Sequence, residues 1–396
     1  MPFNILVAPS GFKECLDVRD VAAAIARGVA SALPSARMDV LPLMDGGEGF
    51  TQSLVDIANG SLHRVRTTDP LGRPIDAEIG MFPRSDKLTA VIEIASAAGL
   101  RLVQPAERDL ARASSAGVGQ LIRHALDLGA RRILVGCGDS GVNDGGAGLA
   151  RALGARFLDR DGREIADGAT PLIELARIDL SGLDPRLAAC EIEVAVNWKN
   201  ALLGPRGVSR VYGPQKGASA GLIEQLNSAL CILARRVREA TGRDVAVMPG
   251  AGASGGIGAA LAGLCGASLI PRFEIVRRYL PFDEKLAAAD LVITAEGGID
   301  TQSAHGKLPA EIAARARVLG IPVILLAGTI ENGSDALHAA GISACFSITR
   351  GPTSLTQSMN DAAHLLEATA AQAVRCFHAG FRSRNSESCA ATLTAA

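Results

Sequence analysis

Three short segments of the chain combine an acidic residue with neighbouring glycines, and this combination suits the handling of phosphate. They are residues 44–49 (MDGGEG), 143–148 (NDGGAG) and 295–300 (AEGGID). Each follows a short apolar run that is typical of a β-strand. Glycines let backbone N–H groups approach a bulky anion, and an adjacent carboxylate can hold Mg²⁺. The pattern therefore indicates phosphoryl transfer, although glycine-rich segments after strands are also ordinary turns.

The composition excludes several classes of protein. The chain has 396 residues, a hydrophobic content of 48% and an aromatic content of 3%, so it can form two or three domains with cores of aliphatic residues. With a net charge of −1 it lacks the basic field that binds nucleic acid and the polybasic run that binds a membrane surface. No apolar stretch approaches the roughly 18 residues of a membrane span.

The eight cysteines are scattered, and none forms a CxxC motif or pairs with histidine at zinc-binding spacing. The first residues lack the pattern of a signal peptide. These features predict a cytoplasmic enzyme with reduced thiols.

The order of apolar runs predicts two domains, one of them discontinuous. Two strand–helix units at the N-terminus and three near the C-terminus can form one five-stranded parallel sheet with helices on both faces. The middle of the chain has short strands close together, which favours a mixed α/β domain inserted into the first. The predicted divisions are residues 1–61 with 287–380, residues 62–286, and a disordered tail at 381–396.

In a parallel sheet of this kind, ligands bind at the carboxyl ends of the strands. The loops after residues 8, 43, 294 and 327 are therefore expected to meet at one edge. The inserted domain is expected to face that edge across a cleft.

Seven segments of the sequence, taken in order, resemble the bacterial two-domain glycerate kinase family. The resemblance extends over about residues 3–350, and the motifs together are far more specific than any one of them. The segments are residues 8–14 (APSGFKE), 44–49 (MDGGEG), 70–74 (PLGRP), 143–148 (NDGGAG), 213–218 (GPQKGA), 249–252 (PGAG) and 300–307 (DTQSAHGK).

The resemblance implies a flavodoxin-like five-stranded parallel-sheet domain that contains a second, mixed α/β domain. It also implies phosphorylation of a hydroxyl group of D-glycerate by ATP with Mg²⁺, most often to 2-phosphoglycerate. The expected partner is a small hydroxy acid, with no nucleic acid and no membrane, and the expected enzyme is a monomer or a homodimer.

Four stretches depart from the family pattern: residues 10–11, 138–142, 197–201 and Gly298. In the third, Asn197 and Lys199 replace two carboxylates and make the loop more cationic. Two alternatives therefore stay open, a kinase for another small hydroxycarboxylic acid and a catalytically inactive relative that binds a metabolite. A third is a dinucleotide-dependent oxidoreductase that uses the glycines at 250–258.

The segment at 297–307 is the leading candidate for the site, since it carries a carboxylate, hydroxyls, an imidazole and an ammonium group after a strand. Asp300 can hold Mg²⁺ or accept the proton of the substrate hydroxyl. Lys307 can bind phosphate as a point charge, and His305 can transfer a proton or donate to a phosphate. Ser303 is a candidate for substrate binding. His305 and Lys307 can equally be solvated surface residues.

Further candidates belong to the first two acidic-glycine segments and to the loop after the first strand. Asp45 and Glu48 stand three residues apart across a glycine turn, where they can reach one ion or one hydroxyl group, unless Glu48 only caps the next helix. Lys13, after the first strand, can bind an anion or can be solvated. Asp144 can be a metal ligand or a helix cap.

The remaining candidates lie in the predicted inserted domain. Arg73 can grip a substrate carboxylate or form an ion pair within its turn. Lys216 opens a helix and can bind a phosphate of the nucleotide. Gly255, Gly256 and Gly258 can present N–H groups to phosphates, or can allow close packing of a helix. They are not part of a P-loop, because no Gly-Lys-Ser/Thr follows them.

Overall fold

The computed structural model describes residues 3–12, 15–43, 46–299, 307–331 and 334–393. The described residues contain thirteen strands. They are β1 (Asn4–Val7), β2 (Arg37–Val40), β3 (Ser61–Thr68), β4 (Pro74–Arg84), β5 (Lys87–Glu93), β6 (Arg132–Gly136), β7 (Arg156–Leu158), β8 (Arg177–Asp179), β9 (Glu191–Val196), β10 (Ser268–Pro271), β11 (Leu291–Ile299), β12 (Val323–Ile330) and β13 (Ala344–Ser347).

Fourteen α-helices lie in the same described ranges, together with five short 3₁₀-helices. The α-helices are α1 (Val18–Ala32), α2 (Phe50–Ala58), α3 (Ala95–Ala98), α4 (Ala116–Asp127), α5 (Ala147–Ala152), α6 (Val208–Tyr212), α7 (Ala220–Thr241), α8 (Ala253–Gly263), α9 (Arg272–Tyr279), α10 (Phe282–Ala287), α11 (Leu308–Val318), α12 (Ser334–Ala340), α13 (Leu355–Asn360) and α14 (Ala362–Leu393). The 3₁₀-helices are Leu100–Leu102, Pro105–Glu107, Thr170–Glu174, Pro185–Ala189 and Pro214–Lys216.

The chain forms two compact units, residues 1–44 with 280–396 and residues 45–279. These divisions differ from the predicted 1–61 with 287–380 and 62–286, because α2 packs against β4 and β5 and so belongs with the second unit. The predicted domain boundaries remain a prediction. Helix α14 extends to Leu393, into the segment that we expected to be disordered.

The first unit is built on a five-stranded sheet in the order β13-β12-β11-β1-β2, and every neighbouring pair is parallel. This is the strand order of a flavodoxin-like sheet, as predicted. Helices α1 and α14 pack over Ile5, Val7 and Ile293. Gly28 of α1 is required there, because a Cβ atom at this position would overlap the carbonyl oxygen of Glu367.

Helix α1 shows how the sequence fixes one element of this unit. The side chain of Asp17 caps its first turn by accepting from the N–H groups of Arg19 and Asp20. Buried Val21, Ile25 and Val29 recur at four-residue intervals, so one stripe of the helix faces the sheet.

The second unit is built on a six-stranded mixed sheet in the order β10-β9-β6-β5-β4-β3, which confirms the predicted mixed α/β fold. Strands β3, β4 and β5 form an antiparallel meander, whereas β5, β6, β9 and β10 are parallel. Strands β7 and β8 form a separate antiparallel pair. The carboxyl ends of β5, β6 and β9 therefore share one edge of the sheet.

Within the described residues, no helix is apolar over the length that a membrane crossing requires.

Candidate functional site

The third acidic-glycine segment lies in the first unit, and it is part of a strand. The sequence predicts a loop after residue 294, but β11 continues to Ile299 because Gly298 and Ile299 pair with Thr329 and Ile330 of β12. Glu296 therefore occupies a defined register position, beside Ala327.

Ser10, which follows β1, lies close to Glu296 of β11, and Glu296 lies close to Lys307. The single hydroxyl proton of Ser10 is shared between two acceptors, Glu296 Oε2 at 2.9 Å and the carbonyl oxygen of Ala295 at 2.8 Å. The Nζ atom of Lys307 donates to the carbonyl oxygen of Gly298 at 2.8 Å and lies 3.9 Å from Glu296 Oε1. Lys307 is also the N-cap residue of α11. The cluster thus lies beside the N-terminus of α11, a setting that favours anions.

Five predicted site residues lie outside the described residues: Lys13, Asp45, Asp300, Ser303 and His305. Their predicted roles remain predictions.

The described part of the first acidic-glycine segment, residues 46–49, packs in the second unit against the end of β6. A Cβ atom at Gly46 would lie 3.1 Å from the backbone nitrogen of Cys137, and one at Gly138 would lie 2.5 Å from the Cα of Gly47. The two backbones therefore touch through glycines. We expected this loop at the sheet edge of the first domain; residues 46–49 instead belong to the edge formed by β5, β6 and β9.

Glu48 lies on this edge in a network of charges. Its carboxylate pairs with Arg101, and its backbone N–H donates to Asp139 Oδ2 at 3.3 Å. Asp139 has a left-handed backbone with a φ of 47°, which is uncommon outside glycine and often marks functional loops.

Glu93, which sequence reasoning missed, lies beside the same segment at the end of β5. Its Oε2 accepts from the backbone N–H of Thr51 at 3.1 Å. Burial, and secondarily the charge of Glu48, raises the pKa of Glu93 to about 7, although N–H groups at the start of α2 stabilise its charged form. The available sequence signal was a carboxylate at the carboxyl end of an apolar strand.

Asp144, a predicted metal ligand, is completely buried and acts as a cap. Its oxygens accept from Ser115 N–H and O–H, both at 2.8 Å, and from the N–H groups of Gly146 and Gly148, both at 3.1 Å. Burial raises the pKa of this carboxyl group despite those donors. Four donors around one carboxylate leave it poorly suited to Mg²⁺, so the metal role gains no support.

Lys216, a predicted nucleotide-binding residue, is buried against the loop that precedes the second acidic-glycine segment. Its Nζ donates to Ser140 Oγ at 3.0 Å and to the carbonyl of Val142 at 2.8 Å. Burial lowers the pKa of Lys216 to about 7, and Asp144 opposes this shift. The side chain therefore ties the 140–142 loop to its own helix, and nothing in these contacts presents it to a phosphate.

The glycine run after residue 250 packs on the same loop. Gly255 and Gly256 have φ values of 72° and 91°. A Cβ atom at Gly255 would overlap the carbonyl oxygen of Val142, and one at Gly256 would lie 2.7 Å from the Cα of Gly145. Gly258 is similarly tight against the carbonyl of Gly250, at 2.7 Å. Close backbone packing thus accounts for these glycines, and their role toward phosphate remains a prediction.

Of the two roles predicted for Arg73, the structure shows the ion pair within its turn. Its Nε lies 2.6 Å from Asp69 Oδ2, and its Nη1 lies 3.2 Å from Glu107 Oε2. Asp69 also accepts from the N–H groups of Leu71 and Arg73. Arg73 therefore braces the turn, and its substrate role is unsupported.

The loop after β9, where Asn197 and Lys199 depart from the family pattern, is open to solvent. Asn197 Oδ1 accepts from the N–H of Lys199 at 3.1 Å, which forms a local turn. Trp198, the single tryptophan of the chain, is 44% exposed. The side chain of Trp198 is therefore not part of the hydrophobic core.

Among the described residues, no three His, Cys, Asp or Glu side chains are grouped closely enough to hold a metal ion. The described carboxylates at the two sheet edges, Glu296, Glu48 and Glu93, hold hydrogen-bond or ion-pair partners. The other two ligands predicted for Mg²⁺, Asp45 and Asp300, lie outside the part of the chain that the structure describes.

Comparison with known proteins adds an independent line of support for the fold. The sequence model described as "Glycerate kinase family" matches residues 5–378. The chain is 44% identical over 367 residues to "Glycerate kinase" of Bacillus subtilis (strain 168), covering 93% of this chain and 96% of that protein. It is 43% identical over 345 residues to "Glycerate 2-kinase" of Escherichia coli (strain K12), covering 87% and 90%.

A crystal structure from Salmonella typhimurium LT2, provisionally named glycerate kinase 2, is similar to this fold with a TM-score of 0.79. The two sequences are 43% identical, and the match covers 96% of this chain and all of the other.

Proposed function

The chain belongs to the glycerate kinase family, and from that premise we propose that it transfers the terminal phosphoryl group of ATP to a hydroxyl group of D-glycerate. The observation that carries this proposal is the extent of the family match, residues 5–378, which includes both compact units. Because the Escherichia coli relative is named glycerate 2-kinase, we propose 2-phosphoglycerate as the product.

The cluster around Lys307 supports a role in binding the phosphates of ATP. Lys307 is the N-cap residue of α11, so its ammonium group belongs to the same cluster as the partial positive charge of the helix end. Glu296 Oε1, 3.9 Å from Nζ, offsets part of the ammonium charge. The contact with Gly298 holds the side chain on the strand, so the charge is fixed in place before a ligand arrives. Lys13 and His305, which the sequence predicts to bind anions, would add further donors to the phosphates.

Mg²⁺ bound to ATP would neutralise charge on the phosphate oxygens during transfer. We propose Asp45 and Asp300 as its ligands. Asp144 is not included, since its oxygens already accept four hydrogen bonds.

The protein itself forms no covalent bond in the proposed reaction; it positions the reactants and stabilises charge. The hydroxyl oxygen of glycerate forms a bond to the γ-phosphorus, the bond from that phosphorus to the ADP oxygen breaks, and the hydroxyl proton leaves. As the alternative to its role as a ligand of Mg²⁺, Asp300 is proposed as the group that accepts this proton. Ser303 and the loop of Glu48 are proposed to orient the acceptor, and the predicted cleft between the domains remains a prediction.

The described cysteine side chains are all free thiols. This supports the proposal of a cytoplasmic enzyme, which we expect to act as a monomer or a homodimer.

A panel of acceptors tests the proposed function. ADP release is measured with ATP and Mg²⁺ in the presence of D-glycerate, L-glycerate, D-lactate or glycolate. We expect kcat/KM for D-glycerate to exceed the others by at least about tenfold, because an analogue that lacks a recognised hydroxyl leaves site groups unpaired. A higher kcat/KM for another hydroxy acid would contradict the acceptor assignment. ATP binding without turnover of any acceptor would support an inactive relative.

A further inference from the structure

Helix α2 begins without a cap of its own. Its N-cap residue is Gly49, with a φ of 85°, which has no side chain to bond the free N–H groups of the first turn. These N–H groups belong to the residues that directly follow Glu48. The N–H of Phe50 donates to the carbonyl of Gly47 at 3.2 Å, but the N–H of Thr51, which is also buried, needs an acceptor from elsewhere.

The carboxylate of Glu93 supplies the missing cap from another strand. Its Oε2 accepts from Thr51 N–H at 3.1 Å, and the N–H groups of Gly49 and Phe50 also stabilise its charge. Glu93 is itself held in place, because it pairs with Gly136 of β6 and its carbonyl accepts from Ser96 Oγ at 2.8 Å.

The acidic-glycine segment at 46–49 is thus fixed from two sides. On one side its glycines touch Cys137 and Gly138. On the other side Glu93 accepts a hydrogen bond from Thr51, which follows the segment. The glycine contacts do not depend on the charge of a side chain, whereas the attachment to Glu93 does, as do the contacts of Glu48 with Asp139 and Arg101.

Resting on the proposed function, we propose that Glu93 is a positioning residue, whose ionised carboxylate holds the Glu48 segment in the arrangement that binds the acceptor. A protonated carboxyl group presents an O–H toward N–H donors and accepts fewer bonds. The segment then loses this attachment at the start of α2 and keeps its glycine contacts and the contacts of Glu48 with Asp139 and Arg101.

The surroundings of Glu93 bring this change into the neutral pH range. Burial raises the pKa of Glu93 to about 7, and the charge of Glu48 adds to the effect. A cavity of about 370 Å³ beside Glu93 gives solvent a route to it. The charged groups around the site are Glu48 with its partner Arg101, Asp139, Arg64 on β3, and Asp76 and Glu78 on β4.

The test compares wild type with Glu93→Gln, which keeps the shape and one acceptor oxygen but cannot titrate. Glu78→Gln, an exposed carboxylate of the same cavity, is the matched control. For wild type and Glu78→Gln we expect kcat/KM for D-glycerate to rise about tenfold from pH 6 to pH 8, following the ionised fraction of a group with a pKa of about 7. For Glu93→Gln we expect less than about a twofold change.

The amide proton of Thr51, followed by NMR, gives a readout that needs no substrate. We expect its chemical shift to titrate with a midpoint near pH 7 in wild type and to stay constant in Glu93→Gln. The same pH profile of kcat/KM in both proteins, or a Thr51 amide that does not titrate between pH 6 and pH 8, would overturn the positioning role. If no variant phosphorylates glycerate, the proposed function fails, and the Thr51 titration alone decides whether Glu93 holds the segment.

Discussion

The ammonium group of Lys216 donates to the backbone carbonyl of Val142 across 2.8 Å, inside the second unit. Lys216 is only 4% exposed, and burial lowers its pKa to about 7. In the unfolded chain the pKa of a lysine is about 10.4. Between these two values the unfolded chain holds a proton that the folded chain has released, so the stability of this unit must depend on pH.

We predict that the second unit becomes more stable as the pH rises from about 7 toward 10, because the unfolded state binds more protons in this window. Relative to Lys216→Met, wild type should gain up to about 1.4 kcal/mol per pH unit. Urea unfolding at pH 7, 8 and 9, followed by the fluorescence of Trp198 in the same unit, measures this. Lys87→Met is the control, and its stability should run parallel to that of wild type. A constant difference between wild type and Lys216→Met would contradict the pKa shift.

Gly255→Ala should destabilise the second unit by at least about 3 kcal/mol. A Cβ atom there would overlap the carbonyl of Val142, and alanine does not tolerate the φ of 72°. Gly221→Ala in α7 is the matched control, since no atom lies within 4 Å of its Cβ position. That control should stabilise the protein by about 0.5–1 kcal/mol. Similar unfolding midpoints for the two variants would show that the packing of the glycine run is loose.

Lys307→Met should lower kcat/KM for ATP by at least about 100-fold, because the variant loses a fixed positive charge at the N-terminus of α11. Lys285→Met removes a lysine of the same unit that pairs with Asp39, and it should retain the activity of wild type. Steady-state kinetics at varied ATP distinguishes the two. Equal kinetics for Lys307→Met and wild type would remove Lys307 from the site.

Asp300→Asn should lower kcat by at least about 100-fold, the range for losing a positioned base or metal ligand. This prediction rests on the sequence, because Asp300 lies outside the described residues. Asp20→Asn, an exposed residue of α1 in the same unit, serves as the control. An unchanged kcat would exclude Asp300 from the mechanism.

The sequence predicted the parallel sheet of the first unit well. Apolar runs such as residues 3–8 and 289–294 are typical of strands that are covered by helices on both faces of the sheet. It placed the end of β11 too early. Gly297 and Gly298 have low strand propensity, yet pairing with β12 carries the strand on to Ile299.

Local patterns could not reveal Glu93. The N–H of Thr51 that it caps lies 42 positions earlier in the sequence, and only the folded sheet brings the two together. For Asp144, Lys216 and Arg73 the residue types suit anion or metal binding, but each is engaged by neighbours such as Ser115, Ser140 and Asp69. Residue type alone did not distinguish a structural contact from a ligand contact.

The most direct test of the proposed activity is ³¹P and ¹³C NMR of one reaction, in which the purified protein converts ATP and ¹³C-labelled D-glycerate in the presence of Mg²⁺. We predict that ADP forms in equal amount with a phosphate monoester whose phosphorus couples to C2 as the ester carbon. The absence of any glycerate phosphate, with the protein folded and ATP intact, would contradict the assignment as a glycerate kinase. A phosphate on the C3 oxygen would contradict 2-phosphoglycerate as the product.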